Sequence, residues 1–323
     1  MNSSYKISLL YFHFDEKSSV RLAETIRQVA HQTTRRLIVV LVSPEFDHSQ
    51  HEHLASKWDW IQNILVLAYV PAAHTAQIRD DPLFNTDVIL VLDANQAARH
   101  LSGETWDAIF TLEGVPAPKA LVNDSHQIAA ISAVSDHPDS RVSPLKLVVK
   151  ECEPKAYPVS ALGGTFDYLH PGHKILLSMA AWITTSKLIA GVTDDALLTK
   201  KANKRYIQSI SERTASVRSF VRMFKPSIEC DAVPIQDVYG PTGWDPNIQA
   251  LVVSRETLGG ASSGLVADFS SSVTMNLTQN RSQWLNCAPR NHCPLWIYLS
   301  LMLYRPAPSC FQSKTPPFFE SPN

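Results

Sequence analysis

The residues best suited to chemistry cluster in one run, Gly163-Gly164-Thr165-Phe166-Asp167-Tyr168-Leu169-His170-Pro171-Gly172-His173. Imidazole donates to phosphate oxygens and can carry charge near neutral pH. A helix N-terminus adds N–H groups and a partial positive charge, which favours an anion. The flanking elements fit such a cradle. An apolar run, Val159 to Leu162, reads as a strand. Gly163 and Gly164 can take positive φ and let a ligand approach the backbone. Pro171 suits the first turn of a helix, where its missing N–H costs nothing. Ile175, Leu176, Met179, Ala180 and Ile183 then share one face of an amphipathic helix over 171–184. Two histidines alone describe any polar surface; glycines, Thr, Phe-Asp and H-x-G-H together after a strand are a specific signal.

That string, GGTFD-x-LH-x-GH, resembles the nucleotidyltransferase signature of the cytidylyltransferase-like superfamily, in the form found in eukaryotic-type phosphopantetheine adenylyltransferases. The resemblance covers roughly Lys155 to Ala261. It implies a Rossmann-like parallel sheet, with ATP and 4′-phosphopantetheine as substrates, dephospho-coenzyme A and pyrophosphate as products, and Mg²⁺ accompanying ATP. It also implies that His170 and His173 contact the ATP phosphates and steady the pentavalent transition state. Gly163, Gly164, Thr165 and the backbone N–H of Phe166 would place the reacting phosphates. Asp167 reads as a structural tie within the turn. Such transfer needs no covalent protein nucleophile, since positioning and electrostatics can supply the rate.

Further stretches extend the likeness. Gly191-Val192-Thr193-Asp194, followed by Leu197-Leu198 and Lys200-Lys201, resembles the family's "GVTD…LL…K". By that resemblance Lys201 bridges the phosphates of the two substrates, with Lys200 as its rival. A solvated charged face is the competing reading. Glu212-Arg213 is similar to a family "ER", or is simply a surface pair. Asp237-Val238-Tyr239-Gly240-Pro241 with Asp245-Pro246 resembles "D-x-YGP…DP", although turn chemistry alone accounts for Gly240-Pro241. Leu251 to Thr257 resembles a strand ending in "S-x-ET", which directs Ser254, Glu256 and Thr257 to the pocket and leaves Arg255 in a variable place.

The 323 residues allow one large domain or two ordinary ones. With 45% hydrophobic and 18% charged residues, a folded core is expected. A net charge of −1 gives no general attraction to nucleic acid or membrane. Five cysteines without a paired framework, no convincing signal peptide and no apolar stretch of about 20 residues point to a reduced, cytoplasmic protein.

Residues 1–140 read as an α/β domain of unassigned role. Strands are expected at Ile7 to Phe12, Leu37 to Val42, Ile64 to Tyr69, Val88 to Leu92 and Ala108 to Leu112, and helices at Ser18 to Ala30 and Leu54 to Ile61. No glycine precedes Gly103, which excludes a dinucleotide fingerprint there. Asp47-His48-Ser49-Gln50-His51-Glu52-His53 holds metal-ligand types, but a solvated polar loop is the preferred reading. A turn-rich linker or edge follows at 141–154, with Leu145 to Val149 as a possible edge strand. The nucleotidyltransferase domain is expected over 155–261, with strands at Leu188 to Val192, Ala232 to Ile235 and Ala250 to Val253 and a helix at Ile210 to Phe224.

Residues 262–323 depart from the family. Ser270 to Leu277 is serine-rich but lacks the Arg of the family's ATP-closing "SST-x-x-R" turn. Cys287, His292 and Cys293 match no common zinc spacing. An irregular, poorly ordered tail, differing from the family's native C-terminus, is expected. Without that turn, part of the expected adenine and triphosphate site is missing. Two alternatives therefore stand beside the adenylyltransferase reading: a nucleotidyltransferase with another phosphorylated acceptor, and a catalytically dead or truncated binding protein. No coenzyme A kinase P-loop is present.

Overall fold

A computed structural model describes residues 4–132, 144–147, 156–198, 204–237, 240–243, 245–254 and 302–304. Within them the chain builds two α/β units, each around its own sheet. The first comprises β1 (Tyr5–His13), α1 (Ser19–His31), β2 (Thr33–Val42), α2 (Trp58–Ile78), β3 (Asn85–Val91), α3 (Ala94–His100), β4 (Ala108–Leu112) and β5 (Gln127–Ile131). Its order is β3-β2-β1-β4-β5, parallel throughout. The unbroken apolar run in β2 follows from burial on both faces of such a sheet.

Several expectations change. Ile64 to Tyr69 is not a strand but part of α2, a 21-residue helix that accommodates Pro71. A short apolar run fits either period. Here α2 packs on both α1 and the second unit, so its hydrophobicity runs around the helix. Two elements carry too little pattern to be foreseen: α3, capped by Asp93 accepting from Gln96 N at 2.7 Å, and the exposed edge strand β5. The Asp47–His53 run is not uniformly solvated. His48 is buried, its Nε2 donating to Leu90 O at 3.1 Å and its ring packed on Trp182. Leu145 to Leu147 form no strand; Leu145 N instead donates to Ser19 Oγ at 2.9 Å. Val148 and Val149, most of the expected linker and all but β10 of the expected tail lie outside the described residues.

The second unit comprises β6 (Tyr157–Gly164), α4 (Pro171–Ile183), β7 (Thr184–Thr193), α5 (Ile210–Phe224), β8 (Glu229–Ile235), β9 (Ala250–Val253) and β10 (Met302–Tyr304). The order is β10-β9-β6-β7-β8, with only β10 antiparallel. A full capping box, Ser209 with Glu212, starts α5. The expected amphipathic α4 is instead buried from Lys174 through Ile183. It is sandwiched between its own sheet and α2 of the first unit.

One hydrophobic core therefore runs through both units. Polar links cross it as well. Lys174 Nζ donates to Asp87 Oδ1 at 2.6 Å and Thr86 O at 2.7 Å, and also to Asn85. Trp182 Nε1 donates to Leu54 O at 2.7 Å. At the end of α4, the Lys225 ammonium donates to Trp182 O at 3.1 Å and Thr184 O at 2.7 Å. Burial lowers Lys225 to about 7. No described helix is long and apolar enough to cross a membrane.

Two imidazoles sit at this seam. Burial, reinforced by the Lys225 ammonium, pushes His48 down to about 3, and burial pushes His100 down to about 4. Both are neutral in the fold, whereas in the unfolded chain they bind protons below about pH 6.5. Stability should thus fall as the pH drops from about 6.5 towards 4. His48→Gln should flatten part of that decline. Melting temperatures at pH 7 and 4.5 check this, and an unchanged difference between them contradicts it.

Candidate functional site

Strand β6 lies where the strand order reverses, with β7 on one side and β9 on the other. Open parallel sheets bind ligands outside their carboxyl ends at such a reversal. The register places Gly164 beside Val192 and Leu162 beside Val252, so the turns after Gly164, Thr193 and Val253 share one rim.

His170 is the N-cap of α4 and Pro171 its first residue. The two imidazoles, His170 exposed and His173 half-buried, stack with ring centroids 3.8 Å apart and planes 26° apart. The His170 side chain makes no capping bond, and no acidic residue stands in the first turn. The positive end of the helix is therefore not neutralised by its own cap or first turn, and two rings able to donate hydrogen bonds adjoin it. An anion with several acceptor oxygens suits this arrangement.

The glycines serve differently from expectation. Gly163 and Gly164 end β6 as extended backbone; the left-handed conformations fall on Phe166 (φ 51°) and Tyr168 (φ 39°). Such positions cost about 1–3 kcal/mol each and need surrounding support. The fully buried Phe166 ring packs 5.3 Å from the His173 ring. A Cβ on Gly164 would approach the Phe166 ring to 3.1 Å, so glycine there permits the close packing beneath the histidines. Asp167 Oδ1 accepts from Gln208 N at 2.9 Å, while Tyr168 N donates to Gln208 Oε1 at 2.8 Å. Asp167 thus ties the turn to the approach of α5.

Arg213 completes the frame. Its guanidinium is fully buried, not a surface group. Nη1 donates to Thr165 O at 2.9 Å and Thr193 O at 2.7 Å, Nε to Gln208 O at 2.9 Å, and Nη2 to Asp195 at 3.3 Å. One planar fork thereby joins the ends of β6 and β7. Only the "ER" match in the sequence hinted at this. Ser254 follows β9 directly. Lys200, Lys201, Glu256 and Thr257 lie outside the described residues. So do Ser270 to Leu277, Cys287, His292 and Cys293.

On the sheet face bearing Ile189 and Val233, a hollow of about 380 Å³ is lined by Lys187, Asp231, Ile235, Asp237, Gly240 and Asp245 among others. Lys187 is already paired with Glu229 at 3.2 Å and Asp231 at 2.9 Å, which leaves the walls acidic and unsuited to a triphosphate. Gly240 (φ 48°) is held against Ile235, whose Cγ2 would lie 2.7 Å from an added Cβ. Among the described residues no three His, Cys, Asp or Glu side chains converge on a metal position.

A cytidylyltransferase-like family profile matches residues 161–288, which include the histidine turn at the strand reversal. An uncharacterised protein of Schizosaccharomyces pombe is 30% identical over 260 residues, 76% of this chain and 77% of its own length. The chain belongs to the cytidylyltransferase-like family.

More particular likenesses are to phosphopantetheine adenylyltransferases. That of Saccharomyces cerevisiae is 50% identical over 103 residues, 32% of this chain and 34% of the yeast protein. That of Methanopyrus kandleri is 40% identical over 96 residues, 30% of this chain and 60% of the archaeal protein. The matched region thus spans about a third of the yeast relative and three-fifths of the archaeal one.

Arg213→Lys keeps the charge but loses the fork, leaving buried carbonyls unsatisfied. It should lower unfolding stability by about 2–4 kcal/mol, measured from denaturant midpoints. A midpoint equal to the parent's contradicts the clamp.

Proposed function

We propose that the chain is a pantetheine-phosphate adenylyltransferase of coenzyme A biosynthesis. A phosphate oxygen of 4′-phosphopantetheine attacks the α-phosphorus of ATP. The bond from that phosphorus to the bridging oxygen breaks, and pyrophosphate leaves with the electron pair, giving dephospho-coenzyme A. The observation that carries this reading is the stacked His170–His173 pair at the open N-terminus of α4. The named relatives support the acceptor.

In this mechanism the protein forms no covalent bond to substrate. His170 and His173 hold phosphate oxygens in line for displacement and offset the charge that builds in the pentavalent transition state. Thr165, on the turn pinned by Arg213, positions the reacting phosphates, together with the Phe166 N–H and the open strand end at Gly163 and Gly164. Lys201, or Lys200, bridges the two substrates' phosphates. Ser254, Glu256 and Thr257, which follow β9 in the sequence, contribute to the nucleotide pocket. Mg²⁺ accompanies ATP and offsets part of the triphosphate charge. A cytoplasmic setting accords with the cysteine usage.

Purified full-length chain should release pyrophosphate from ATP only when phosphopantetheine is present. His170→Ala and His173→Ala should each lower kcat about 100-fold or more, the scale of losing one transition-state donor. Release that ignores the acceptor, or full activity in His170→Ala, would falsify this assignment.

A further inference from the structure

We propose that the first unit is a positioning device for the histidine turn, acting through Asp87 on Lys174. The proposal rests on reading His170 and His173 as phosphate contacts, and it gives the first unit a task.

Lys174 follows His173 in the chain and lies in the first turns of α4. Its backbone N–H closes the opening helical bond to His170 O at 3.0 Å. The side chain reaches across to the first unit. It ends on the open edge of β3, at Asn85, the Thr86 carbonyl and Asp87. The Phe220 ring lies beneath the ammonium, 5.8 Å away.

Asp87 serves both units with separate oxygens. Oδ1 takes Lys174 at 2.6 Å and Oδ2 takes Arg36 Nε at 2.7 Å, while Arg36 also pairs with Glu104. Burial alone would raise the Asp87 carboxyl, but Lys174 and Arg36 outweigh it and hold the group below its ordinary value. The acceptor is therefore ionised and fixed from behind.

The other end of α4 is held against the same unit, by Trp182 Nε1 on Leu54 O. A helix of 13 residues anchored at both ends can neither turn nor slide to relax its N-terminus. Displacement by about 1 Å can cost 100-fold in rate. Buried ion pairs also add little net stability over well-packed apolar side chains, so fixing geometry is the stronger account of this one.

The test uses the full chain as Asp87→Asn, and as the double variant Asp87→Leu with Lys174→Met, which removes both charges of the pair, leaves Arg36 with Glu104 and takes the Lys174 donor from Thr86 O and Asn85. Three quantities are read: melting temperature, kcat for pyrophosphate release, and ¹⁵N-imidazole NMR signals. The double variant should fold, melt below the parent because Arg36 and the Thr86 carbonyl each lose a partner, and show kcat at least about tenfold lower, with shifted His170 and His173 signals and unmoved His51 and His53. Asp87→Asn should shift the same two signals, so a misfolded double variant does not void the test. Unmoved His170 and His173 signals in a folded variant overturn the proposal, as does parental kcat in the double variant. A parent without turnover strikes the reading of the site and leaves the ring signals to decide the anchor.

Discussion

The structure turns on an ammonium placed against a strand edge. Lys174 belongs to the second unit by sequence, but its charge resides in the other sheet, among Asn85, Thr86 and Asp87. In apolar surroundings that charge tolerates no slack. Removing one partner of such a pair typically costs several kcal/mol, because an uncompensated charge is left behind. The contact with α2, the burial of α4 on every side and the enclosure of Trp182 follow the same seam. Two α/β units of ordinary size thereby share one interior.

The site itself combines stiffness with strain. Phe166 and Tyr168 adopt backbone shapes that side chains resist, and bonds from Asp167, Gln208 and Arg213 keep the surrounding turn in place. Arg213 is a cation spent wholly on backbone carbonyls and Asp195, so its service to the rim is to fix the strand ends. Helix end and stacked imidazoles both favour negative charge at one place.

Much of the second unit was legible because its signals are local. The strand, the histidine turn and the boundaries of α5 and β9 follow from residue type and spacing, and the expected helix over Ile210 to Phe224 matches α5 as found. What depended on contact between units was not legible. Ile64 to Tyr69 has the look of a strand until α2 is seen wedged between two partners. His48 belonged to a polar run, yet Leu90 and Trp182 enclose it. Arg213 beside Glu212 resembles any surface pair; only its four acceptors, three of them distant in sequence, distinguish it. Lys174 gave no sign of a counter-ion 87 residues earlier. The glycine expectation failed for a related reason: the constraint at Gly164 is an aromatic ring two positions on, not its own dihedral angle.

The closure of β3 has one more consequence. A strand on the rim of a sheet exposes a row of unpaired amides and carbonyls that invites foreign strands. Here α5 of the second unit packs on that strand, and Lys174 binds one of its carbonyls. Parted from its neighbour, the first unit would present a flat, adhesive border and tend to self-associate. The two halves are thus expected to melt in a single cooperative transition, and proteolytic separation should yield aggregate rather than a tidy fragment.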